Sequence, residues 1–578
     1  MRFHWPEDTE FQQRVLDVEQ KFCARCGHPL HVCSQRHHRI YTLQGPLELC
    51  CRLARCSDPC CPSRPGTLSP TSELSFTLPG WLIGWDVFCF IGHRRFARHW
   101  SVPQIRAELR DSYAIVLSAD AIAGYIRRYQ IMVAARQQDW QQLSDAYRHI
   151  DSLVLTIDGL QPEKGHETLY TVREVNAKRV WFAEALLSSN SDEVSRLLER
   201  AREIADYLDK PLRLWMSDKQ DAFVKGIARV FPHTPHRYCD KHFLRDLAKP
   251  MRTADSQAKV QMRKKVRGLR AIEREALAQR QKARAQAQAR KDVMSGKLGG
   301  MKSTTTQVQP SRPTVGGAKQ SECQSEREQA SSLTAGDSVA QVVLDYCAVV
   351  RGILNDDQGG PLQPTGIRMA EALVEVRASL QRNLDLNKPG PGHDQLTRLA
   401  GCIDRGLEAV KDQQQQIKKQ IEQIRAVAET LREDKGPRWQ RKAKYEKLQG
   451  EYEKQGEGFP AHLAKVMRSW ARGMFVRARL KKGEKLPIDN DELERWFRKP
   501  KGHARRIHGR KHAGVRIVQE GPTLLLVLNA HEAHPQPFTA QELLPYRHAQ
   551  EPDDQLQAIQ RRKVMRKARS PKKDNISS

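Results

Sequence analysis

Between residues 152 and 239 the chain runs through apolar segments in an order that few folds accommodate. Residues 152–158, 168–175 and 179–187 alternate apolar and polar side chains and are rich in β-branched and aromatic types, which predicts three strands. Val194, Leu197, Leu198, Ala201 and Ile204 then recur at helical spacing behind Ser191 or Asp192 as N-cap. An apolar strand over 212–217, a helix over 221–230 and a short strand at 236–239 complete the series. The predicted order is three strands, a helix, a strand, a helix and a strand.

Carboxylates sit at informative places in this order. Asp158 ends the first strand and Asp218 directly follows the fourth. A third acid comes much later, in Asn490-Asp491-Glu492-Leu493-Glu494-Arg495, where Glu494 is preferred because Arg495 follows it; Glu492 and Asp221 stay open as alternatives. Hard oxygen donors suit Mg²⁺, and three such groups could hold two ions roughly 3.5–4 Å apart.

The element order, the two placed aspartates and the Asn490–Arg495 phrase resemble the DDE transposases of bacterial insertion sequences and the related Mutator-like and large-insertion groups. The Cys-x-x-His mark of some members is matched by Cys239-Asp240-Lys241-His242, which the resemblance makes auxiliary to catalysis. It implies an α/β ribonuclease-H-like core interrupted by an α-helical insertion, with Asp158, Asp218 and Glu494 holding Mg²⁺ or Mn²⁺. It also implies cleavage and strand transfer on double-stranded DNA, both terminal inverted repeats and target, by a homodimer or higher oligomer in the bacterial cytoplasm, at the nucleoid. A non-catalytic DNA-binding regulator derived from a transposase, and a ribonuclease-H-like nuclease without strand transfer, are the alternatives.

Charge points to the same class of partner. The 578 residues hold 97 Lys and Arg against 68 Asp and Glu, a formal charge of +29, which favours a polyanion. Arg498, Lys499, Lys501, Arg505, Arg506, Arg510 and Lys511 follow Glu494 closely and are expected to neutralise phosphates, with Trp496 and Phe497 anchoring the helix in the core. Without an export signal or an uninterrupted apolar run of about 18 residues, the chain reads as soluble and intracellular, with no membrane partner.

In that setting close cysteine pairs favour metal over disulfides. Cys23-Ala24-Arg25-Cys26 and Cys56 with Cys61 are predicted to hold a structural Zn²⁺ across an intervening hairpin; Cys60 can replace Cys61, and His28, Cys33, Cys50 and Cys51 are weaker candidates. Two short helices over 102–109 and 119–128, the second capped by Ser118 and ending in Arg127 and Arg128, fit a DNA-reading helix-turn-helix. The expected layout is a zinc module over 1–70, a helical DNA-binding region over 75–145, the first part of the core over 150–255, an insertion over 256–480, the last part of the core over 481–545 and a basic disordered tail over 546–578. Within the insertion a disordered linker is expected over 276–340, followed by long helices over 341–357, 366–386 and 394–433 that could form a coiled coil.

Overall fold

The computed structural model describes Trp5 and residues 7–160, 167–294, 335–386, 389–477, 489–509, 513–553, 555–557, 559–561 and 564. Most of the expected linker, Arg510, Lys511 and the basic tail beyond 564 lie outside these residues. The chain is a mixed α/β protein, mainly helical, with two small sheets. It forms two compact units, one of Met1–His242 with Arg472–Ser578, the other of Phe243–Ala471.

The first unit begins with a three-stranded sheet of order β1-β3-β2, built from β1 (Gln12–Leu16), β2 (Leu30–Thr42) and β3 (Gly45–Cys56). β2 and β3 form the expected hairpin, and β1 adds in parallel to β3. Helices Trp85–Phe96, Val102–Tyr113 and Ala119–Gln138 follow. Ser118 caps the last of these, accepting from Ala121 N at 3.1 Å. That helix runs ten residues past the predicted end because its stripe continues through Tyr129, Met132 and Val133, all buried in one core with Leu524–Leu528 of helix Pro522–Ala533.

The second sheet has five strands: β4 (Leu153–Leu160), β5 (Thr168–Glu174), β6 (Arg179–Leu186), β7 (Leu212–Ser217) and β8 (His236–Tyr238), in the spatial order β6-β5-β4-β7-β8. β4, β5 and β6 form an antiparallel meander; β7 lies parallel to β4 and β8 parallel to β7. Helix Ser191–Leu208 makes the crossover from β6, and its cap is Asn190, not Ser191 or Asp192: the Asn190 side chain accepts from Glu193 N at 2.8 Å. Trp181, Phe182, Trp215 and Phe223 are buried in the core beside this helix, each contributing on the order of 1.5–3 kcal/mol.

The second unit is helical. Lys249–Lys265 and Leu269–Met294 occupy the start of the expected insertion and overturn the linker assignment for residues 276–294. The Gln, Ala, Lys and Arg composition read as disorder is also strongly helix-forming, and Ile272 and Ala276 anchor it in a core with Val343, Cys347 and Val350. Ala335–Asn355 and Thr365–Leu386 match predicted helices, whereas the helix expected over 394–433 is broken at 409–410 into Pro391–Glu408 and Lys411–Leu431. Arg438–Lys454 and Gly458–Met474 complete the series, and residues Phe243–Ala471 form a compact unit of their own. Ser338–Asn355 is long and apolar enough by length and composition to cross a membrane, although Asp345 and Arg351 interrupt its apolar run.

Candidate functional site

The parallel register of β4 on β7 pairs Thr156 with Met216. Pairing ends there, and Asp158 and Asp218 each follow two residues on, near enough for the charge of Asp218 to act on Asp158 although 60 positions separate them. Asp158 is inside β4, opposite Thr171 of β5, rather than at its end. Next to it Gly159 is held between strands, since a Cβ there would lie 2.8 Å from Thr168 Cγ2 and 2.9 Å from Tyr170 Cε1. Gly159 N donates to Asp158 Oδ1 at 2.8 Å.

Helix Asp491–Trp496 delivers Glu494 to the same place. Asn490, buried, fixes the start of this helix: Thr156 Oγ1 donates to its Oδ1, its Nδ2 donates to Ile157 O at 3.4 Å, and its backbone N donates to Cys239 Sγ at 3.2 Å. Leu493, Trp496 and Phe497 are buried on the opposite stripe, and Trp496 Nε1 donates to Glu532 Oε2 at 2.9 Å, which gives both aromatics the expected anchoring role.

The electrostatics join the three acids. Asp158 keeps part of its surface accessible, yet its surroundings are almost wholly protein, and its carboxyl is pushed up to about 7, first by burial and then by the charges of Asp218 and Glu494. Lys501 opposes that shift. Seven residues beyond Glu494, it lies two helical turns on, a spacing that could have singled it out from the basic run. Glu492 points elsewhere: its Oε1 accepts from Arg173 Nη1 at 3.2 Å. Asp221, the other alternative, opens helix Asp221–Val230.

Cys239 and His242 flank the cluster. Burial pushes the Cys239 thiol up to about 11, leaving a neutral thiol that accepts the Asn490 amide, while its own N donates to Ser217 O at 2.9 Å. His242 Nε2 is 3.6 Å from Glu494 Oε1. His236, not singled out in the sequence, contacts the residue before Asp218: its Nε2 is 2.8 Å from Ser217 Oγ, and burial pushes it down to about 4. A lone imidazole on a three-residue strand carries no sequence signal of that role.

The four predicted zinc ligands do converge. The Sγ atoms of Cys23, Cys26, Cys56 and Cys61 lie within 4.8 Å of one another, with Cys23 to Cys61 at 3.8 Å and Cys26 to Cys56 at 3.4 Å. A tetrahedral site with bonds of about 2.3 Å has S–S edges of about 3.8 Å, so this cluster could hold a structural metal. The knuckle closes because Gly27 adopts φ +74° and donates to Cys23 O at 2.9 Å, while the amides of Arg25 and Cys26 lower the Cys23 thiol to about 6. Cys60 is exposed and outside the cluster, which decides for Cys61; His28 lies beside it, 3.8 Å from Asp58, and Cys33, Cys50 and Cys51 sit elsewhere on the sheet.

The expected DNA contacts divide. Arg498, Lys499, Arg505 and Arg506 are exposed, Lys499 reaching Glu532 at 2.6 Å. Arg127 and Arg128 also have partners within the protein: the exposed Arg127 pairs with Glu551, and Arg128 donates to Arg547 O and Ala549 O. These partners come from the segment expected as a disordered tail, which docks through Gln555 on Glu520 O at 3.1 Å and Arg561 on Glu167 at 3.1 Å. No protein-family model and no curated protein matches this chain.

Proposed function

We propose that this chain is a divalent-metal-dependent DDE transposase, in which a ribonuclease-H-like core is interrupted by the helical unit Phe243–Ala471 before the last acid. The observation that carries the reading is the gathering of acids from three distant segments around Asp158, whose carboxyl burial pushes up to about 7 with the charges of Asp218 and Glu494 adding to it. The order β6-β5-β4-β7-β8, an antiparallel meander continued by two parallel strands, supports the core assignment.

Hard carboxylate donors are the chemistry that suits Mg²⁺ or Mn²⁺. All three donors are carboxylates, and a dication would oppose the burial and like charge that raise the Asp158 carboxyl. Bound there, such ions would activate the attacking oxygen of a phosphodiester displacement and stabilise the leaving one. Asp158 and Asp218 hold their places through strand register, and Glu494 through the Asn490 contacts. His242 Nε2, 3.6 Å from Glu494 Oε1, is placed to orient that carboxylate, and the neutral Cys239 thiol serves as a positioning acceptor. Lys501 and the exposed Arg498, Arg505 and Arg506 neutralise phosphates of the strand being cut. The cysteine module and the helices Val102–Tyr113 and Ala119–Gln138 would read terminal inverted repeats, and pairing two ends calls for a homodimer or larger assembly.

The test is cleavage and strand transfer on a labelled duplex bearing the flanking terminal repeats, with Mg²⁺ or Mn²⁺, comparing the native chain with Glu494→Gln and Asp158→Ala. Metal-dependent nicking with joined products, lost in both variants while end binding persists, is the expected result. Nicks without joined products would indicate a nuclease. Tight binding without cleavage in any form would replace the transposase by a DNA-binding regulator.

A further inference from the structure

The outer face of the N-terminal sheet carries a second set of metal-ligating side chains, separate from the four cysteines. In the β2–β3 register His37 lies opposite Cys50 and Arg39 opposite Glu48. Because side chains alternate along a strand, Cys50 and Glu48, two apart, share a face with His37. His37 Nδ1 is 3.5 Å from Cys50 Sγ and 3.6 Å from Glu48 Oε1, and the three donor atoms all lie within 4.8 Å of one another. For bonds of about 2.0–2.1 Å to nitrogen or oxygen and about 2.3 Å to sulfur, a tetrahedral ion has N–S and N–O edges of about 3.5 and 3.4 Å. The two separations from His37 match those edges.

The surroundings are organised as those of a ligand set. Glu48 is 4% exposed and Cys50 8%. The Glu48 carboxylate is oriented by Arg39 Nε, which donates to Oε1 at 2.7 Å, and by Gln13 Nε2 of β1, which donates to Oε2 at 3.0 Å. Outer hydrogen bonds of this kind fix the direction of a ligating oxygen. The His37 side chain is 52% exposed, so a fourth position faces solvent. A thiolate with an imidazole selects a zinc-class ion over Mg²⁺. Thiolate and carboxylate together balance a dication, and the adjacent Arg39 charge makes the site weaker than the four-cysteine cluster.

We propose that His37, Glu48 and Cys50 form a second zinc-class metal site, with three protein ligands and one solvent-facing position, on the same hairpin that contributes to the cysteine cluster. It does not depend on the transposase reading. The test counts zinc per full-length chain after dialysis against millimolar Mg²⁺, which keeps zinc off the acidic cluster, for the native protein, His37→Ala and Cys50→Ser. Two equivalents in the native chain and one in each variant are expected, the second equivalent leaving first under chelator titration. His37 is exposed, so its alanine variant should melt with the native chain when both are stripped of the weaker ion, which separates loss of a ligand from loss of the fold. A native chain holding one equivalent, or two equivalents that survive both substitutions, would overturn the proposal.

Discussion

The backbone amide of Asn490 donates to the Sγ of Cys239 at 3.2 Å, tying the residue that opens the Glu494 helix to the end of β8. The Asn490 side chain meanwhile engages Thr156 and Ile157 of β4, so one buried residue indexes the third acid against both strands that carry or flank the other two. Asn490→Ala leaves a buried hydroxyl and a carbonyl short of a partner, at about 1–3 kcal/mol of stability. Cleavage should fall more than tenfold through mispositioning of Glu494, with end binding within about twofold of native. Urea denaturation and a cleavage assay on the same preparation check this; unchanged cleavage would separate Asn490 from the site.

Glu492 and Glu494 are two residues apart on one short helix and meet opposite environments. Glu492 pairs with Arg173, whose side chain is 2% exposed, whereas Glu494 faces His242. Glu494→Gln is therefore expected to abolish metal-dependent cleavage with little change in melting temperature. Glu492→Gln should retain cleavage but lower stability by about 1–2 kcal/mol, because Arg173 loses a charged partner and keeps Lys178 O. The reverse pattern would transfer the ligand role to Glu492.

Asp158 makes the metal-free protein less stable as pH rises. Its folded value of about 7 exceeds the ordinary 3.8, so between those limits the folded state binds more protons than the unfolded state, and stability falls across that window. Above about 7 the loss is complete, on the order of 2–4 kcal/mol. Asp158→Asn should raise the melting temperature at pH 8 in EDTA and have little effect at pH 4. Mg²⁺ should stabilise the native chain at pH 8 and leave Asp158→Asn nearly unmoved. A melting temperature for Asp158→Asn at or below the native value at pH 8 would contradict this electrostatic account.

The sheet around Asp158 was legible in the sequence because each strand pairs with a near neighbour and buries both faces. Its apolar runs therefore mark the strands within a residue or two. The four cysteines were legible because tetrahedral ligation demands close pairs. What escaped depends on tertiary choice. Ala- and Gln-rich composition over 276–294 is equally consistent with a solvated chain and a packed helix, and Ile272 and Ala276 decide it through partners more than 60 residues away. The internal partners of Arg127 and Arg128 were not legible, because Glu551 and the carbonyls at 547 and 549 come from the far end of the chain.

Cys60 and Cys61 are adjacent in sequence, but Cys61 lies in the cysteine cluster and Cys60 is exposed, with its amide held by Asp58 Oδ1 at 2.9 Å. Cys60→Ser should keep the native zinc content and the native melting curve. Cys61→Ser should lose the tightly held ion and unfold the knuckle, detectable as protease cleavage near residue 27. Equal behaviour of the two variants would refute the ligand assignment.

Histidines packed in the first unit set an acid limit on its stability. His503 is fully buried, stacks on Phe96 at 5.7 Å between ring centres, and has Nδ1 3.0 Å from that of His99; burial pushes it down to about 3. His531 pairs with the Tyr129 hydroxyl at 2.9 Å and is pushed down to about 4, also by burial. For both, the unfolded chain takes up a proton near pH 6.5 and the folded chain does not. Stability is therefore complete above about 6.5 and falls as pH drops toward 3–4, by up to about 1.4 kcal/mol per pH unit for each ring. This slope opposes that of Asp158, and with His236 as a third such ring against one carboxyl it prevails below pH 6. His503→Phe preserves the stack on Phe96 and removes one titrating ring, so its urea midpoint should shift less between pH 7 and pH 5 than that of the native chain. An identical shift in both would mean that His503 is protonated in the folded state, and that its pair with His99 carries a charge the present packing does not balance.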